Sequence, residues 1–306
     1  MRIRGTEDIK FENTIVTVGK FDCFHLGHQL LFKTGASLKE DGMEQVIFMF
    51  DVNPRDVVQN ISGRYIVARS ERKDLSRSYG IDHCVEYPFN DTTRNMSPET
   101  FVKEILVDKF GVRAVVAGDD FRFGHNRSGD ADTLVRLGEK YGFDVKIMNR
   151  LTYKGEVISS TLIRDRLLEG NLTDVNAMLG RPYSISGEIR GGKHIGSRMG
   201  IPTINIIPPE DKLLPPFGVY AVKADIDGTE YNGICNLGKR PTFYDVSDIV
   251  LETYIFDLDK DLYGRFAKIN FYKFVRPEKK FSSAEKLYGQ IEKDISFSIE
   301  TLKKYC

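Results

Sequence analysis

The feature that most constrains the fold is the segment Val18–Gln29, which reads Val-Gly-Lys-Phe-Asp-Cys-Phe-His-Leu-Gly-His-Gln. An apolar, β-branched run, Thr14–Val18, precedes it and predicts a buried parallel strand. Leucines at helical spacing follow it, so a helix should begin near His28. His25 and His28 then stand in a strand-to-helix turn, where backbone N–H groups and the helix dipole favour an anion. Because imidazoles can donate to phosphate oxygens, this turn predicts a nucleotide-phosphate site.

A His-x-Gly-His sequence is weak evidence by itself, since a histidine at a helix start is often a cap or a surface residue. Three small residues, Gly19, Cys23 and Gly27, expose the backbone of the same turn. The assignment gains specificity only if other segments supply partners.

The first 183 residues alternate strand-like and helix-like segments, which predicts a parallel sheet covered by helices. Further strands are predicted at Val46–Phe50, His83–Tyr87 and Ala114–Ala117, and Ser97 is a predicted helix cap. Ligands of open parallel sheets gather at the carboxyl ends of the strands. The histidine turn occupies such an end.

The loop Gly118–Asp130 should lie at the same edge of the sheet, because it follows a predicted strand. Arg122 and Arg127 offer guanidinium groups that suit a phosphate or a base edge. A solvated surface loop is the alternative, although phenylalanines alternate with the charges. The loop is therefore a candidate for nucleotide binding.

A third polar group stands in Ile158–Arg164. Ser159 or Ser160 can simply cap the helix that follows. Thr161 and Arg164 are one helical turn apart, however, and can face the same way as the N–H groups of the helix start. Such an array suits the β- and γ-phosphates of a triphosphate.

Beyond Leu179–Tyr183, a predicted domain boundary, helical periodicity gives way to short strands between glycine, proline and charged turns. They predict a small antiparallel barrel, with strands at Ser184–Ile189, Tyr220–Ala224, Gly233–Asn236, Leu251–Phe256 and Lys268–Phe274. A final helix is predicted to begin with a capping box at Ser282 and Glu285. Its predicted buried stripe consists of Leu287, Ile291, Ile295, Ile299 and Leu302.

Three residues of this second part are candidates for chemistry. Thr203 and Asn205 alternate in an extended segment, so their oxygens can face one side and bind Mg²⁺. A turn with a polar rim is the alternative, and these residues alone favour it. Glu252 lies in an apolar predicted strand. The pattern alone supports two roles about equally: a general base, or a glutamate on an edge strand that faces solvent. The segment Gly187–His194 nearly matches a Walker A loop, but it lacks the metal-binding hydroxyl, and its glycines suit a flexible phosphate-covering loop instead.

Bulk properties limit the function classes. At 306 residues, two domains are expected, and 44 basic residues balance 44 acidic ones, which disfavours a nucleic-acid partner. The four cysteines have no CxxC pairs or metal-type spacing and predict reduced thiols. The chain starts with a charged segment and has no run near the roughly 20 apolar residues of a membrane span. A soluble cytoplasmic protein without a membrane partner is expected.

Taken in order, these segments resemble the bacterial bifunctional riboflavin kinase/FAD synthetase family. The first half carries its Gly-x-Phe-Asp…His-x-Gly-His-Gln, Asp-Phe-x-Phe-Gly-x-x-Arg-x-Gly-Asp and Ile-Ser-Ser-Thr-x-Ile-Arg motifs. The second half carries its kinase motifs at Gly200–Asn205, Pro216–Tyr220, Asn236–Thr242, Leu251–Asp257, Asp261–Gly264 and Arg276–Phe281. In three places the chain departs from the pattern: Cys23 replaces a glycine, Asn53 stands within an altered Asp-Pro-His-Pro segment, and Ile201 replaces a phenylalanine.

The resemblance implies an α/β plus β chain. A Rossmann-like nucleotidyltransferase α/β/α domain would span residues 1–183, and a small antiparallel β-barrel riboflavin kinase domain with a C-terminal helix would span 184–306. The second domain would phosphorylate riboflavin to FMN, and the first would adenylylate FMN to FAD with release of pyrophosphate. ATP and Mg²⁺ would serve both reactions. The alternatives are a kinase with an impaired adenylyltransferase domain and a non-catalytic flavin- or nucleotide-binding regulator.

The resemblance also implies roles for residues. Glu252 would be the general base of the kinase, Thr203 and Asn205 would hold Mg²⁺, and His25 and His28 would bind the phosphate undergoing substitution. Other residues implied at the adenylyltransferase site are Gly19, Phe21, Asp22, Gly27, Asn53, Arg122, Arg127, Ser159, Ser160, Thr161 and Arg164. Those implied at the ATP and flavin sites of the kinase are Gly192, Lys193, Gly200, Pro202, Phe217, Gly218 and Arg276.

Overall fold

The structure is a computed structural model. It describes residues 2–4, 10–52, 64–191, 202–239, 249–256, 258, 260 and 262–305. The chain divides into two compact units, Met1–Ser159 and Ser160–Cys306. Among the residues described, none of the helices combines the length and the apolar character needed to cross a bilayer.

The first unit is built on a six-stranded parallel sheet. Its strands are β1 (Arg2–Arg4), β2 (Thr14–Val18), β3 (Glu44–Phe50), β4 (His83–Tyr87), β5 (Val112–Gly118) and β6 (Asp144–Met148). They are ordered β1-β4-β3-β2-β5-β6, and every neighbouring pair is parallel. The central strands are buried on both faces, which explains their continuous β-branched and aromatic sequences. The strands predicted from those sequences are confirmed.

Helices cover both faces of this sheet. They are α1 (Leu26–Ser37), α2 (Arg72–Ser78), α3 (Asp91–Arg94), α4 (Pro98–Thr100), which continues as a π-helical segment (Phe101–Val107), and α5 (Ala131–Tyr141). Alternate strand residues enter two separate apolar clusters, with Val16 in one and Ile15 in the other. The predicted cap is confirmed, because the Ser97 hydroxyl accepts a hydrogen bond from the backbone N–H of Thr100 at 3.0 Å. A two-stranded hairpin (β7, Thr152–Tyr153; β8, Glu156–Val157) follows the sheet.

The second unit begins with two helices and continues as an antiparallel sheet. Its elements are α6 (Ser160–Leu168), α7 (Leu172–Leu179), β9 (Tyr183–Glu188), β10 (Thr203–Ile206), β11 (Gly218–Ile226), β12 (Thr229–Lys239), β13 (Ile249–Ile255), β14 (Phe266–Pro277) and α8 (Ala284–Leu302). The strand order is β10-β13-β12-β11-β14-β9. The two edges of the sheet meet where the backbone N–H of Arg190 donates to the carbonyl of Asn205 at 2.8 Å. This contact closes the sheet into the predicted barrel.

Two details of helix α8 differ from the prediction. The cap is Ser283, whose hydroxyl accepts from the backbone N–H of Lys286 at 3.3 Å, so the capping box predicted at Ser282 is wrong. With the cap one residue later, the third helical residue is a lysine, which cannot accept a hydrogen bond and close a box. The predicted apolar stripe is wrong at Ile299, which is 43% exposed. The buried line instead runs through Asp294, Ser298 and Leu302.

Helix α7 is joined to the barrel by the side chain of Asn176. Its Oδ1 accepts from the backbone N–H of Tyr183 at 2.8 Å, and its Nδ2 donates to the carbonyl of Phe271 at 2.8 Å. Tyr183 and Phe271 are the last paired residues of the β9–β14 ladder. One amide side chain therefore continues the hydrogen bonding of the sheet beyond its end.

Replacing Asn176 with alanine should lower the free energy of unfolding by about 1–3 kcal/mol, because one backbone donor and one backbone acceptor lose their partners. Urea unfolding followed by circular dichroism would measure the change. Thr173→Ala, at an exposed position of the same helix, is the matched control and should change the value by less than about 0.5 kcal/mol. Equal effects of the two substitutions would contradict the role given to the amide.

Candidate active sites

The first candidate site is the turn between β2 and α1, and its histidines lie at the helix start as predicted. His25 is the N-cap: its ring Nδ1 accepts from the backbone N–H of His28 at 3.3 Å. An imidazole thus takes the role that serine or aspartate usually has at a helix cap. The two rings are nearly parallel, at 16°, with centroids 3.6 Å apart. Both imidazoles are held at the positive end of the α1 dipole.

Two glycines allow aromatic rings to pack directly on the backbone of this turn. A Cβ atom at Gly27 would lie 3.0 and 3.1 Å from two ring atoms of His25. A Cβ atom at Gly19 would lie 2.7 Å from the ring of Phe21. Side chains at these two positions would therefore displace the rings that shape the site.

The turn also contains backbone strain. Phe21 and Phe24 have φ angles of 43° and 52°, in the left-handed region that bulky residues avoid. Each such residue costs on the order of 1–3 kcal/mol. Both phenyl rings are fully buried, and the ring of Phe21 meets His28 edge to face with centroids 4.9 Å apart. The Asp22 carboxylate accepts from the backbone N–H of Ile66 at 3.1 Å and anchors the turn. Phe24 was not a predicted site residue, since a phenylalanine in the sequence gives no indication of a positive φ angle.

The loop Gly118–Asp130 leaves the same edge of the sheet, because β5 is the parallel neighbour of β2. It is closed by paired backbone hydrogen bonds between Phe123 and Gly129, at 3.0 and 2.9 Å, and the Phe123 ring is buried. Arg122 and Arg127 are exposed along the closed segment. The loop ends at Asp130, which caps α5, and the hydrogen bond from the backbone N–H of Thr133 lowers the pKa of its carboxyl group. The phenylalanines anchor the loop while its arginines face outward.

The structure describes only some of the other residues predicted for the adenylyltransferase site. Ser160, Thr161 and Arg164 form the first turns of α6, in the second compact unit, and Ser159 is the last residue of the first unit. Their predicted role in pyrophosphate binding stays a prediction. Four predicted residues lie outside the described part of the chain: Asn53, Gly192, Lys193 and Gly200.

The second candidate site is a row of polar residues across three strands of the barrel. Glu252 of β13 is directly opposite Asn205 of β10 on one side and Asn236 of β12 on the other. Residues in such register point to the same face of an antiparallel sheet. Thr203, two residues before Asn205, shares that face. The sequence motif that contains Asn236 did not predict a site role for it, because its position beside Glu252 depends on strand register.

A pocket of about 210 Å³ lies beside Thr203, at the start of β10. Thr203 contributes to both the row and the pocket. The other lining residues are mostly apolar: Pro202, Ile204, Thr253, Ile255, Leu258, Lys260, Leu262 and Tyr263. Ile204, Thr253 and Ile255 alternate with the residues of the polar row, so these walls of the pocket belong to the opposite face of the sheet.

The row continues across the sheet to Arg276. This residue is in register with Val219, which is itself opposite Asn236. The Arg276 guanidinium donates through Nε to Asp294 of α8 at 2.8 Å, and Nη2 lies 2.8 Å from the same carboxylate. Gln290 donates to the other carboxylate oxygen at 2.9 Å. Arg276 therefore joins helix α8 to the candidate site, while the predicted residues Phe217 and Gly218 lead into the adjacent strand.

The cysteines differ sharply in their surroundings. Cys235 is fully buried beneath the polar row, and desolvation raises the pKa of its thiol to about 12. Cys23 is also buried, but its sulfur and one nitrogen each of His25 and His28 lie within 4.8 Å of one another. Cysteine spacing alone does not predict this cluster, because its other two donors are histidines.

Comparison with known proteins gives matches in both halves. A family model described as FAD synthetase matches residues 8–162, and one described as riboflavin kinase matches residues 179–302. A protein of Buchnera aphidicola subsp. Acyrthosiphon pisum, named bifunctional riboflavin kinase/FMN adenylyltransferase, is 38% identical over 96% of this chain and 95% of its own length. A protein of the same name from Listeria monocytogenes is 35% identical over 92% of this chain and 90% of its own.

A solved structure also resembles the whole chain. It is described as a macrolide-efflux protein from Streptococcus pneumoniae and has 26% sequence identity. It superposes with a TM-score of 0.85 and covers 97% of this chain and 98% of that one.

Replacing Asp294 with asparagine should lower the free energy of unfolding by about 2–3 kcal/mol, because it leaves the largely buried Arg276 guanidinium without its counter-ion. Chemical denaturation would measure the loss. Glu300→Gln is the matched control on the same helix: its ion pair with Lys303 is exposed and should contribute less than about 1 kcal/mol. A loss for Asp294→Asn no larger than for the control would show that the buried pair does not hold α8.

Proposed function

The chain belongs to the family of bifunctional riboflavin kinase/FMN adenylyltransferases, and we propose that its two candidate sites carry out the two reactions of that name. The second half phosphorylates riboflavin to FMN, and the first half adenylylates FMN to FAD. Matches in both halves support this function over a kinase-only enzyme or a regulator. The observation that carries the site assignment is the register of Glu252 opposite Asn205, which pairs a candidate base with a candidate metal ligand.

In the kinase, Glu252 is the proposed general base. Its carboxylate accepts the proton of the terminal ribityl hydroxyl as that oxygen attacks the γ-phosphorus of ATP. The oxygen–phosphorus bond forms, the bond to the β-phosphate oxygen breaks, and ADP leaves. Glu252 is exposed, so a substrate hydroxyl can approach it. Catalysis in such a reaction depends chiefly on positioning and charge stabilisation.

Thr203 and Asn205 fit a hard cation, and we assign Mg²⁺ to them. Their hydroxyl and amide oxygens are the ligand types that Mg²⁺ prefers, together with water and phosphate oxygens. The backbone of Asn205 is fixed by the bond that closes the barrel, so its side chain starts from a defined position. When bound, the ion would offset negative charge on the phosphates of ATP.

In the adenylyltransferase, a phosphate oxygen of FMN attacks the α-phosphorus of ATP, and pyrophosphate leaves without a covalent enzyme intermediate. The cap bond assigns the lone pair of His25 to Nδ1, so the neutral ring carries its proton on Nε2 and can donate it to a phosphate oxygen. His28 adds a second imidazole beside it. Arg122 and Arg127 are proposed to contact the nucleotide. Ser160, Thr161 and Arg164 are proposed to receive the pyrophosphate.

We retain the functional boundary after residue 183. The compact units divide earlier, between Ser159 and Ser160, but the FAD synthetase match extends to residue 162 and the riboflavin kinase match begins at residue 179. The segment between those matches contains helix α7. We assign Ser160–Arg164 to the first reaction.

His28→Ala should lower the rate of FAD formation on the order of a hundredfold, the typical loss of one donor to a developing charge. Chromatographic separation of flavins after incubation with FMN, ATP and Mg²⁺ would measure it. FMN formation from riboflavin should be unchanged, because the kinase residues lie in the other half. His83→Ala is the control, since His83 begins β4 and therefore lies at the amino-terminal end of the parallel strands, whereas the histidine turn follows the carboxyl end of β2. A matching loss of both activities would refute the separate assignment.

Glu252→Gln should lower the rate of FMN formation about 10²–10⁴-fold, the usual contribution of a general base. The same assay, started from riboflavin, would measure it, and FAD formation from supplied FMN should continue. Glu230→Gln, at an exposed glutamate on neighbouring β12, is the matched control and should retain FMN formation. A fully active Glu252→Gln variant would rule out the proposed base.

A further inference from the structure

We propose that Cys23, His25 and His28 form a binding site for a thiophilic divalent cation of the Zn²⁺ type, and that the bound ion inhibits FAD formation because it removes the histidine rings from their phosphate-binding arrangement. The geometry of three side chains supports the binding site. The expected inhibition of FAD formation rests on the function proposed for the turn.

The donor set determines the kind of ion. One thiolate and two imidazoles suit Zn²⁺ and similar cations, whereas Mg²⁺ prefers oxygen ligands. The three donor atoms lie within 4.8 Å of one another. In a tetrahedral zinc site, bonds of about 2.0–2.3 Å place the ligand atoms roughly 3.3–3.6 Å apart. A contraction of about 1 Å would therefore complete three of the four positions and leave the fourth for water.

The three ligands are close together in the chain. They lie within the six-residue segment 23–28, and Cys23 and His25 are buried while His28 is partly accessible. An ion can thus enter from the side of His28. Binding releases the thiol proton to solvent, because the thiolate is the metal ligand.

The same geometry explains why a bound ion disrupts the arrangement proposed to bind phosphate. A metal bound to an imidazole lies in the plane of the ring, so two rings that share one ion cannot remain stacked at 3.6 Å. If the ion takes Nδ1 of His25, it also replaces the hydrogen bond that caps α1. Coordination therefore uses the imidazole nitrogens in orientations different from those that present two donors to phosphate.

Cys23 supplies the sulfur ligand of the site. A glycine at this position would leave two histidines without a sulfur ligand. Within the described part of the chain, no other group of three histidine, cysteine or acidic side chains is clustered closely enough to hold a metal. Cys84 and Cys235 are also buried, but neither belongs to such a cluster.

Binding can be tested on the full chain with Co²⁺, which replaces Zn²⁺ and gives a thiolate-to-cobalt absorption band. We expect the wild-type protein to develop this band and added Zn²⁺ to remove it. Cys23→Ala should abolish the band, and Cys84→Ala, the matched control at another buried cysteine, should retain it. Absence of the band from the wild-type protein would overturn the proposal, as would its persistence in Cys23→Ala.

The inhibitory consequence is measured as the Zn²⁺ concentration that halves FAD formation at fixed Mg²⁺ and ATP. Cys23→Gly and Cys23→Ala should each raise this concentration by about tenfold or more, since even changes in the outer shell of a metal site weaken affinity 10–100-fold. FMN formation from riboflavin should be insensitive to the same Zn²⁺ concentrations. Equal inhibition of wild-type and variants would overturn the proposal. A cobalt band without inhibition of FAD formation would keep the metal site but contradict the phosphate-binding role of the turn.

Discussion

The arrangement of the barrel site depends on strand register. Asn205 has two roles at once: its backbone carbonyl closes the barrel through Arg190, and its side chain shares a face with Glu252. In a sheet, a slip of one residue turns every side chain of a strand to the opposite face. The hydrogen bond that completes the fold of the second unit therefore also holds the candidate metal ligand opposite the candidate base.

The first unit positions its polar groups in a different way. Its candidate site lies in the connection after a strand, where the cap made by His25 and the buried rings of Phe21 and Phe24 determine the geometry. Residues in sparsely populated backbone conformations persist only when surrounding structure holds them there. The two halves of this chain thus place their polar groups differently, one in a strained turn and the other along regular strands.

Much of this could be predicted from local sequence. The β-branched runs indicate buried strands, and Ser97 followed by proline indicates a helix start, because those preferences act within a few residues. The start of α8 was harder, since Ser282 and Ser283 are both suitable caps. Asp294 was missed because hydrophobic periodicity cannot identify a buried carboxylate whose partner, Arg276, belongs to a different element. Residue spacing alone could not predict two further features. The row of Asn205, Glu252 and Asn236 depends on strand register, and the cluster of Cys23, His25 and His28 depends on the geometry of the turn.

The amide of Asn176 has a consequence for how this chain can be divided. A polypeptide that began at the predicted boundary, after residue 183, would lack Tyr183, the first residue of β9, and also the helix whose side chain binds the ends of β9 and β14. A kinase fragment that keeps both of these hydrogen bonds has to begin upstream of Leu172.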